Sequence, residues 1–281
     1  MKYIKLYKKL LIILVSLIFI LIIVLNNFLK GRDDLSIFQN CTFEKIENIP
    51  QNSIIVIGHA YGSPLNAAKE DYLSKKVIKF LNQNKDKIET LILTGDIFWQ
   101  PSKKKWDKLF LDYNNYFNIH IAPGNHDIDS ENKKKIFQNS NFRSDNFYKI
   151  KDFKNDFYFI ENSIVSNWHL NPFMINEMKN FPKSSFTIFR HNIAVKELVL
   201  FANSKALMSK SLPSVKNLQK KVDELKSLTI ISGDGGAFKE LPRLTCLSFK
   251  NIKFIINGIG DIDDDKIIVI NENKLFSYNL K

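Results

Sequence analysis

At the centre of this 281-residue chain stands Ile121-Ala122-Pro123-Gly124-Asn125-His126-Asp127. The apolar β-type run over residues 118–121 predicts a strand, and the Pro-Gly pair predicts that the chain then leaves the sheet in a tight loop. The loop carries an amide, an imidazole and a carboxylate side by side. We expect these groups at the carboxyl end of a parallel strand, which is the sheet edge where ligands bind in α/β proteins.

Each of the three polar side chains can do a different kind of chemistry. Asn125 can offer its carbonyl oxygen to a divalent cation, and His126 can transfer a proton near neutral pH. Asp127 can hold the imidazole in one tautomer. The loop therefore predicts a site that combines metal binding with proton transfer.

A second stretch has the same form. Residues 89–94 read as a buried strand, and Gly95-Asp96 follows at once. Asn125 comes 29 residues after Asp96, which is enough chain for a crossover helix and the next parallel strand. We expect Asp96 and Asn125 at neighbouring strand ends, facing one site.

Taken in order, these motifs resemble the calcineurin-like metallophosphoesterases. The signature of that family runs Asp-x-His, Gly-Asp, Gly-Asn-His-Asp/Glu, a lone His, then Gly-His-x-His, and the resemblance covers roughly residues 51–260. It implies an α/β fold, namely an αββα sandwich with mixed sheets. It also implies a metal-dependent phosphoesterase.

The middle motifs of the family have matching residues here. Asp96 matches the carboxylate that bridges two cations, and Asn125 matches the amide ligand. His191 follows a strand predicted over 186–189 and matches the lone histidine ligand. His126 matches the residue that stabilises or protonates the leaving group, and Asp127 completes the expected catalytic pair.

The first and last motifs depart from the family. His59 stands where the family has the Asp, and Tyr61 stands where it has the His. A neutral imidazole is a competent ligand, whereas we expect Tyr61 to hold a phosphate oxygen or to pack at the mouth of the cleft. In the last motif Asp234 replaces one His, and Gly236 provides no ligand where the family has the other.

The resemblance therefore implies two unequal metal positions for Mn, Fe or Zn. The firm one keeps four candidate ligands, which are Asp96, Asn125, His191 and Asp234. The other keeps only Asp96 and His59, so the second metal is expected to be weak or absent.

The N-terminal region predicts a membrane anchor. Residues 10–25 are apolar apart from Ser16, and four lysines precede them. We expect a cytoplasmic tail over 1–9, a single transmembrane helix over 10–29 with the body outside the cytoplasm, and an irregular tether over 30–50. A cleavable signal peptide is the alternative, although no small-residue cleavage site follows the run.

The body, residues 51–281, opens with an apolar strand over 53–57 and a helix over 63–84. Strands and helices then alternate as βαβαβ, which favours an α/β sandwich. The net charge is +12, but six of the basic residues precede position 33. The remaining excess is spread over many lysines and forms no evident nucleic-acid platform. Cys41 and Cys246 either pair in an oxidising exterior or remain two buried thiols. The sequence does not indicate an oligomeric state.

Two functions remain open from the sequence. The first is a membrane-anchored, outward-facing phosphoesterase that hydrolyses a phosphate mono- or diester, for example of a surface glycan or another envelope component. The second is a family member that has lost catalysis and acts as a binding or assembly protein at the cell envelope.

Overall fold

The computed structural model describes residues 14–19, 21, 34–65, 72–153, 156–202, 211–235 and 244–281. The chain forms two units, Met1–Phe38 and Gln39–Lys281. In the first unit, residues 14–19 and 21 are helical, and Asp34–Ile37 form a 3₁₀ helix. The predicted tail over 1–9 and most of the predicted transmembrane helix over 10–29 lie outside the described residues. Within the described parts of the chain, no helix is both long enough and apolar enough to cross a membrane.

The second unit contains the strands and helices of the body. The strands are β1 (Gln39–Asn40), β2 (Glu44–Ile46), β3 (Ser53–Ile57), β4 (Ile88–Leu93), β5 (Asn118–Ile121), β6 (Phe147–Phe153), β7 (Asp156–Glu161), β8 (Ser185–Arg190), β9 (Ser227–Ser232), β10 (Leu244–Phe249), β11 (Ile252–Asn257), β12 (Lys266–Asn271) and β13 (Lys274–Asn279). The helices are α1 (Lys75–Gln83), α2 (Lys103–Tyr113), α3 (Asn125–Ile128), α4 (Glu131–Gln138), α5 (Pro172–Lys179), α6 (Lys196–Ala202) and α7 (Val215–Val222).

The strands form two mixed sheets. The first has the order β2-β13-β12-β3-β4-β5, and the second has the order β1-β10-β11-β9-β8-β7-β6. In the first sheet β3, β4 and β5 are parallel, and in the second β7, β8, β9 and β11 are parallel. Parallel neighbours place their carboxyl ends at one edge, which is where the predicted polar loops emerge.

The two sheets pack face to face, with helices on their outer faces. Val56 and Ile92 of the first sheet share a buried cluster with Phe189 and Ile231 of the second. The opposite face of the first sheet packs against α1, α2 and α4, around the fully buried Trp106. In the second sheet, the connections that contain α5 and α7 join parallel strands. β8 has buried side chains on both of its faces, so that sheet is covered on both sides. These contacts confirm the mixed-sheet α/β fold and follow the expected αββα order.

The segment predicted as an irregular tether differs from that expectation over residues 39–46. β1 joins the edge of the second sheet beside β10, and β2 joins the edge of the first beside β13. Between them Cys41 is bonded to Cys246, which decides between the two states of these cysteines that the sequence left open. Long-range backbone pairing and this covalent bond order a segment whose own sequence carries no clear strand pattern.

The predicted strands over 53–57 and 118–121 coincide with β3 and β5. Only the second half of the helix predicted over 63–84 is described as a regular helix, namely α1. No local pattern in the sequence predicted β6, α3 or α4. β6 contains alternating lysines and lies at a sheet edge, where pairing with β7 rather than local composition defines the strand.

Candidate active site

The candidate polar side chains meet at the carboxyl ends of five strands. His59 follows β3, Asp96 follows β4, and Asn125 and His126 follow β5. On the second sheet His191 comes directly after β8 and Asp234 two residues after β9. The topology therefore brings together all five predicted metal ligands, although they span 175 residues of sequence.

The backbone at the site is strained in a way that brings these groups close. His59 and Asp96 both have a φ of 51°, a left-handed conformation that residues other than glycine seldom adopt. The glycines before Asp96 and Asn125 allow close approach. A Cβ on Gly95 would lie 2.3 Å from His191 Nδ1, and a Cβ on Gly124 would lie 2.3 Å from Asp96 Oδ1. Glycine is therefore needed in both motifs so that the loops can pack closely at the site. Backbone strain such as that of His59 and Asp96 clusters at functional positions.

Asp96 is the central contact of the cluster. Its Oδ2 lies 3.2 Å from His59 Nε2, and its Oδ1 lies 3.5 Å from His191 Nε2. The backbone N–H of His126 donates to the same Oδ1 at 3.1 Å. Asp234 Oδ1 lies farther away, 4.0 Å from His59 Nε2 and 3.9 Å from His191 Nε2. Asp96 thus links the loops of both sheets.

His191 is oriented so that one ring nitrogen faces the cluster. Its Nδ1 lies 3.2 Å from the carbonyl oxygen of Thr94, and because a carbonyl only accepts, Nδ1 carries a proton. In the neutral ring Nε2 then presents a lone pair, 3.2 Å from Asn125 Oδ1. Oxygen atoms of Asn125 and Asp96 therefore face Nε2 of His191, which presents a lone pair in the neutral ring and a proton in the charged one. Such an arrangement is stable only when a proton or a metal cation lies between them.

The pKa values follow from burial and from this mutual contact. Burial lowers the pKa of His59, and the nearby Asp96 offsets only part of that effect. Burial also acts to lower the pKa of His191, but Asp96 and Asp234 outweigh it and raise the pKa. For Asp96 burial acts to raise the pKa, but His191 and His59 more than compensate and lower it. The cluster therefore favours an ionised Asp96.

Asp127 does not play the part that the sequence suggested. Its carboxylate accepts backbone N–H groups from Ile97 at 3.1 Å, Phe98 at 3.3 Å and Gly124 at 2.9 Å, and has no contact with the ring of His126. Burial and the Asp96 carboxylate raise the pKa of Asp127 to about 7, although the backbone donors act to lower it. The expected tautomer role is corrected to a structural one, because these three backbone donors take up both carboxylate oxygens.

His126 is surrounded by aromatic rings instead. Its imidazole stacks on Trp99, with 4.3 Å between the ring centroids, and Tyr61 meets it edge-on at 5.7 Å. Tyr61 also contacts Trp99 at 5.7 Å and His59 at 5.1 Å. Tyr61 is only 2% exposed, and burial raises its pKa, so its hydroxyl stays protonated. Trp99 was not among the predicted site residues, although its place three residues after Asp96 was a signal for it.

Further buried polar groups support the second-sheet side of the site. Asn192 donates from its Nδ2 to Asp234 Oδ2 at 3.4 Å and accepts on its Oδ1 from Ser163 Oγ at 3.1 Å. Directly before His191, Arg190 pairs with Glu161 at 2.9 Å, and both side chains are fully buried. None of these four residues (Ser163, Asn192, Glu161 and Arg190) was among the predicted site residues. The motif Arg-His-Asn at 190–192 was the available signal for two of them.

The donors at the site suit a divalent transition metal. Carboxylate, imidazole and amide groups are the ligands that Mn, Fe and Zn share. Two ligands of one ion, each about 2.1 Å from it, lie about 3–4 Å apart, and the separations within this cluster run from 3.2 to 4.0 Å. Both ring nitrogens of His59 are buried without a hydrogen-bond partner among the described residues, so a ring nitrogen of His59 is available to bind a metal ion.

The cluster is not a preformed cage, however. Among the residues that the structure describes, no three His, Cys, Asp or Glu side chains converge on one point as a metal site. The side chains contact one another directly instead. Gly236, where the family resemblance implied a missing ligand, lies outside the described residues.

Comparison with known proteins agrees with the fold. Of the solved structures, a purple acid phosphatase, PPD1, from seeds of yellow lupin (Lupinus luteus) matches with a TM-score of 0.51 and 10% identity, over 84% of this chain and 55% of that one. The chain thus spans about half the length of that protein. Vps29 from Chaetomium thermophilum matches with a TM-score of 0.39 and 12% identity, over 82% and 88% of the two chains.

A phosphopantetheinyl hydrolase, PptH, from Mycobacterium tuberculosis matches with a TM-score of 0.40 and 10% identity, over 75% of this chain and 91% of that one. No curated protein matches the chain by sequence. A model of the calcineurin-like phosphoesterase family matches residues 67–210, which is just over half of the chain. The protein therefore belongs to the calcineurin-like phosphoesterases.

Proposed function

We propose that the protein is a metal-dependent phosphoesterase that hydrolyses a phosphate mono- or diester. One observation carries the proposal: Oδ1 of Asp96, Oδ1 of Asn125 and Nε2 of His191 converge at the strand ends of a phosphoesterase fold. A divalent cation would take the place of the proton that these buried groups otherwise share. The family supports the reaction class, and it does not choose the ester.

The ligands would be shared unequally. Asp96, Asn125, His191 and Asp234 would hold one divalent Mn, Fe or Zn ion firmly, and His59 with Asp96 would hold a second weakly or not at all. When bound, the cation would supply Lewis-acid stabilisation of the negative charge that develops on the phosphoryl group.

The remaining side chains would act on the substrate itself. His126, half-buried beside the cluster, would donate a proton to the leaving oxygen. Tyr61 keeps its hydroxyl protonated and makes no hydrogen bond to any described residue, so it can donate to a phosphate oxygen. The low exposure of Tyr61 and His59 keeps bulk water away from that contact.

A second candidate function is a binding or assembly protein that has lost catalysis. Two observations favour it. Tyr61 occupies a place where the family has a metal ligand, and the described residues form no preformed cage. A protein of this kind would bind a phosphorylated group or a partner at the same strand ends without turnover.

We propose a membrane-anchored location with the phosphoesterase body outside the cytoplasm. Four lysines before the apolar run over 10–25 support this topology. The bond between Cys41 and Cys246 adds to the support, because disulfides persist in oxidising compartments. A C-terminal reporter that is active only in the cytoplasm would contradict the proposal.

Metal analysis of the full chain, combined with hydrolysis of a chromogenic phosphate monoester and diester, tests the function. We expect close to one tightly bound Mn, Fe or Zn per chain, with loss of both metal and turnover in His191→Ala. His126→Ala should abolish turnover and keep the metal. His169→Ala is the matched control, because the His169 side chain makes no contact with the cluster.

The outcomes separate the two candidates. Bound metal without turnover of any ester, in a folded protein, would favour the binding protein. No metal after reconstitution with Mn²⁺, Fe²⁺ or Zn²⁺ would refute the metal site itself. Turnover that survives in His126→Ala would show that another group protonates the leaving oxygen.

A further inference from the structure

In the part of the chain that the structure describes, the imidazole of His126 has no polar partner of the kind that usually orients a catalytic histidine. Among the described residues its side chain makes ring contacts only, with Trp99 and Tyr61, while its backbone N–H donates to Asp96. The neighbouring carboxylate of Asp127 is occupied by backbone N–H groups. Some other group must therefore set the direction of the ring.

Trp99 is placed to do so. Its indole lies almost parallel to the imidazole, with an interplanar angle of 28° and 4.3 Å between centroids. Tyr61 closes the arrangement edge-on, at 77° to His126 and 79° to Trp99. Offset stacking and edge-to-face contacts are the preferred geometries of aromatic pairs, so together they restrict rotation of the imidazole.

Trp99 is itself tied to the loop of His126 through the backbone. The carboxylate of Asp127 accepts from Ile97 and Phe98, directly before Trp99, and from Gly124, directly before the Asn-His pair. Because the buried Asp127 side chain accepts hydrogen bonds from both loops, it fixes the position of Trp99 relative to His126. Phe98 adds anchorage through its edge-on contact with the buried Trp106, 4.7 Å between centroids.

We propose that Trp99 is the positioning residue for His126, and that the Asp127 clamp acts on the histidine through it. This inference rests on the proposed function, in which His126 protonates the leaving oxygen. A general acid must lie within hydrogen-bond reach of that oxygen. A misplacement of about 1 Å can cost roughly a hundredfold in rate, so loss of the stacking partner reduces turnover without removing the acid.

The position of the ring can be measured without any turnover. The chain has five histidines, so selective ¹³C-histidine labelling of the metal-free full chain gives five ring signals, and His126→Ala identifies the one of interest. The ring protons of His126, lying over the indole, resonate upfield. Because removing the indole alone changes this shift, the ring position is followed by the nuclear Overhauser contacts between the His126 ring protons and the Tyr61 ring. In Trp99→Leu these contacts weaken, in Trp99→Phe they persist, and in the surface control Tyr116→Leu they do not change.

Kinetics then separate positioning from substrate contact. We expect Trp99→Leu to lower kcat for a chromogenic ester about tenfold with KM nearly unchanged, and Trp99→Phe to restore most of the loss. Unchanged contacts between the His126 ring and Tyr61 in Trp99→Leu overturn the proposal. So does a rise in KM at constant kcat, because Trp99 would then bind substrate. If the wild-type chain hydrolyses no ester, the proposed function fails, and the contacts of the His126 ring with Tyr61 still decide whether Trp99 orients His126.

Discussion

The disulfide offers the sharpest test of how residues 39–46 are attached to the two sheets. Cys41 and Cys246 are 205 residues apart in sequence, so their bond closes most of the body into one loop. In the chain-entropy account, closing a loop of that length destabilises the unfolded state by about 5 kcal/mol. The change to study is Cys41→Ala, Cys246→Ala and the double variant.

The loss of stability on removing the disulfide should be somewhat smaller than this value, because the folded state changes as well. Besides the disulfide, residues 39–46 are held by two short strands, of two and three residues. The backbone N–H of Cys41 also donates a hydrogen bond to the carbonyl oxygen of Cys246. Without the covalent link these strands can detach locally, which lowers the free energy of the native ensemble. We therefore expect each variant to lose roughly 3–5 kcal/mol of the free energy of unfolding.

Urea unfolding of the full chain, followed by tryptophan fluorescence, measures the loss. Because both single changes break the same bond, they and the double variant should be almost equally destabilised. A thiol reductant should reproduce the loss in the wild-type chain and leave the double variant unchanged. Additive effects of the two single changes, or a wild-type midpoint that is insensitive to reductant, would refute the reasoning.

Three further predictions concern buried polar groups. Asp127→Ala should cost about 3 kcal/mol or more, since it leaves three backbone donors without an acceptor, and Asp127→Asn should cost less; equal losses in urea unfolding would contradict this. Glu161→Gln should cost about 3–5 kcal/mol because Arg190 stays buried and charged, whereas the exposed control Asp107→Asn should cost less than about 1 kcal/mol. Burial lowers the pKa of His120 from 6.5 to about 4. That side chain therefore contributes stability that is present above pH 6.5 and lost as the pH falls towards 4. In His120→Gln the free energy of unfolding should vary with pH by roughly 1–2 kcal/mol less over that range, and an unchanged pH dependence would refute the assignment.

The sequence was sufficient wherever the signal is local. An apolar run followed by Gly and a polar residue marks a strand end, and this pattern located β3, β4 and β5 with the residues that follow them. β8 was located by its apolar run alone, because no glycine follows it. Because parallel strands place their carboxyl ends at one edge, the pattern was also sufficient to predict that Asp96 and Asn125 lie together. His191, which follows a strand of the other sheet, was placed with them only by the family resemblance. The family could be named on the same residues, and the family model confirms it.

Tertiary structure decided what depends on partners far apart in the chain. Asp127 could have oriented His126 or clamped the backbone, and only the approach of a loop 30 residues earlier in the chain selects the clamp. The stack of Trp99 on His126 and the pair of Glu161 with Arg190 likewise join different loops and strands. A side chain's role is set by which donors reach it at hydrogen-bond distance. That distance is a property of packing between elements, and no local pattern of residues encodes it.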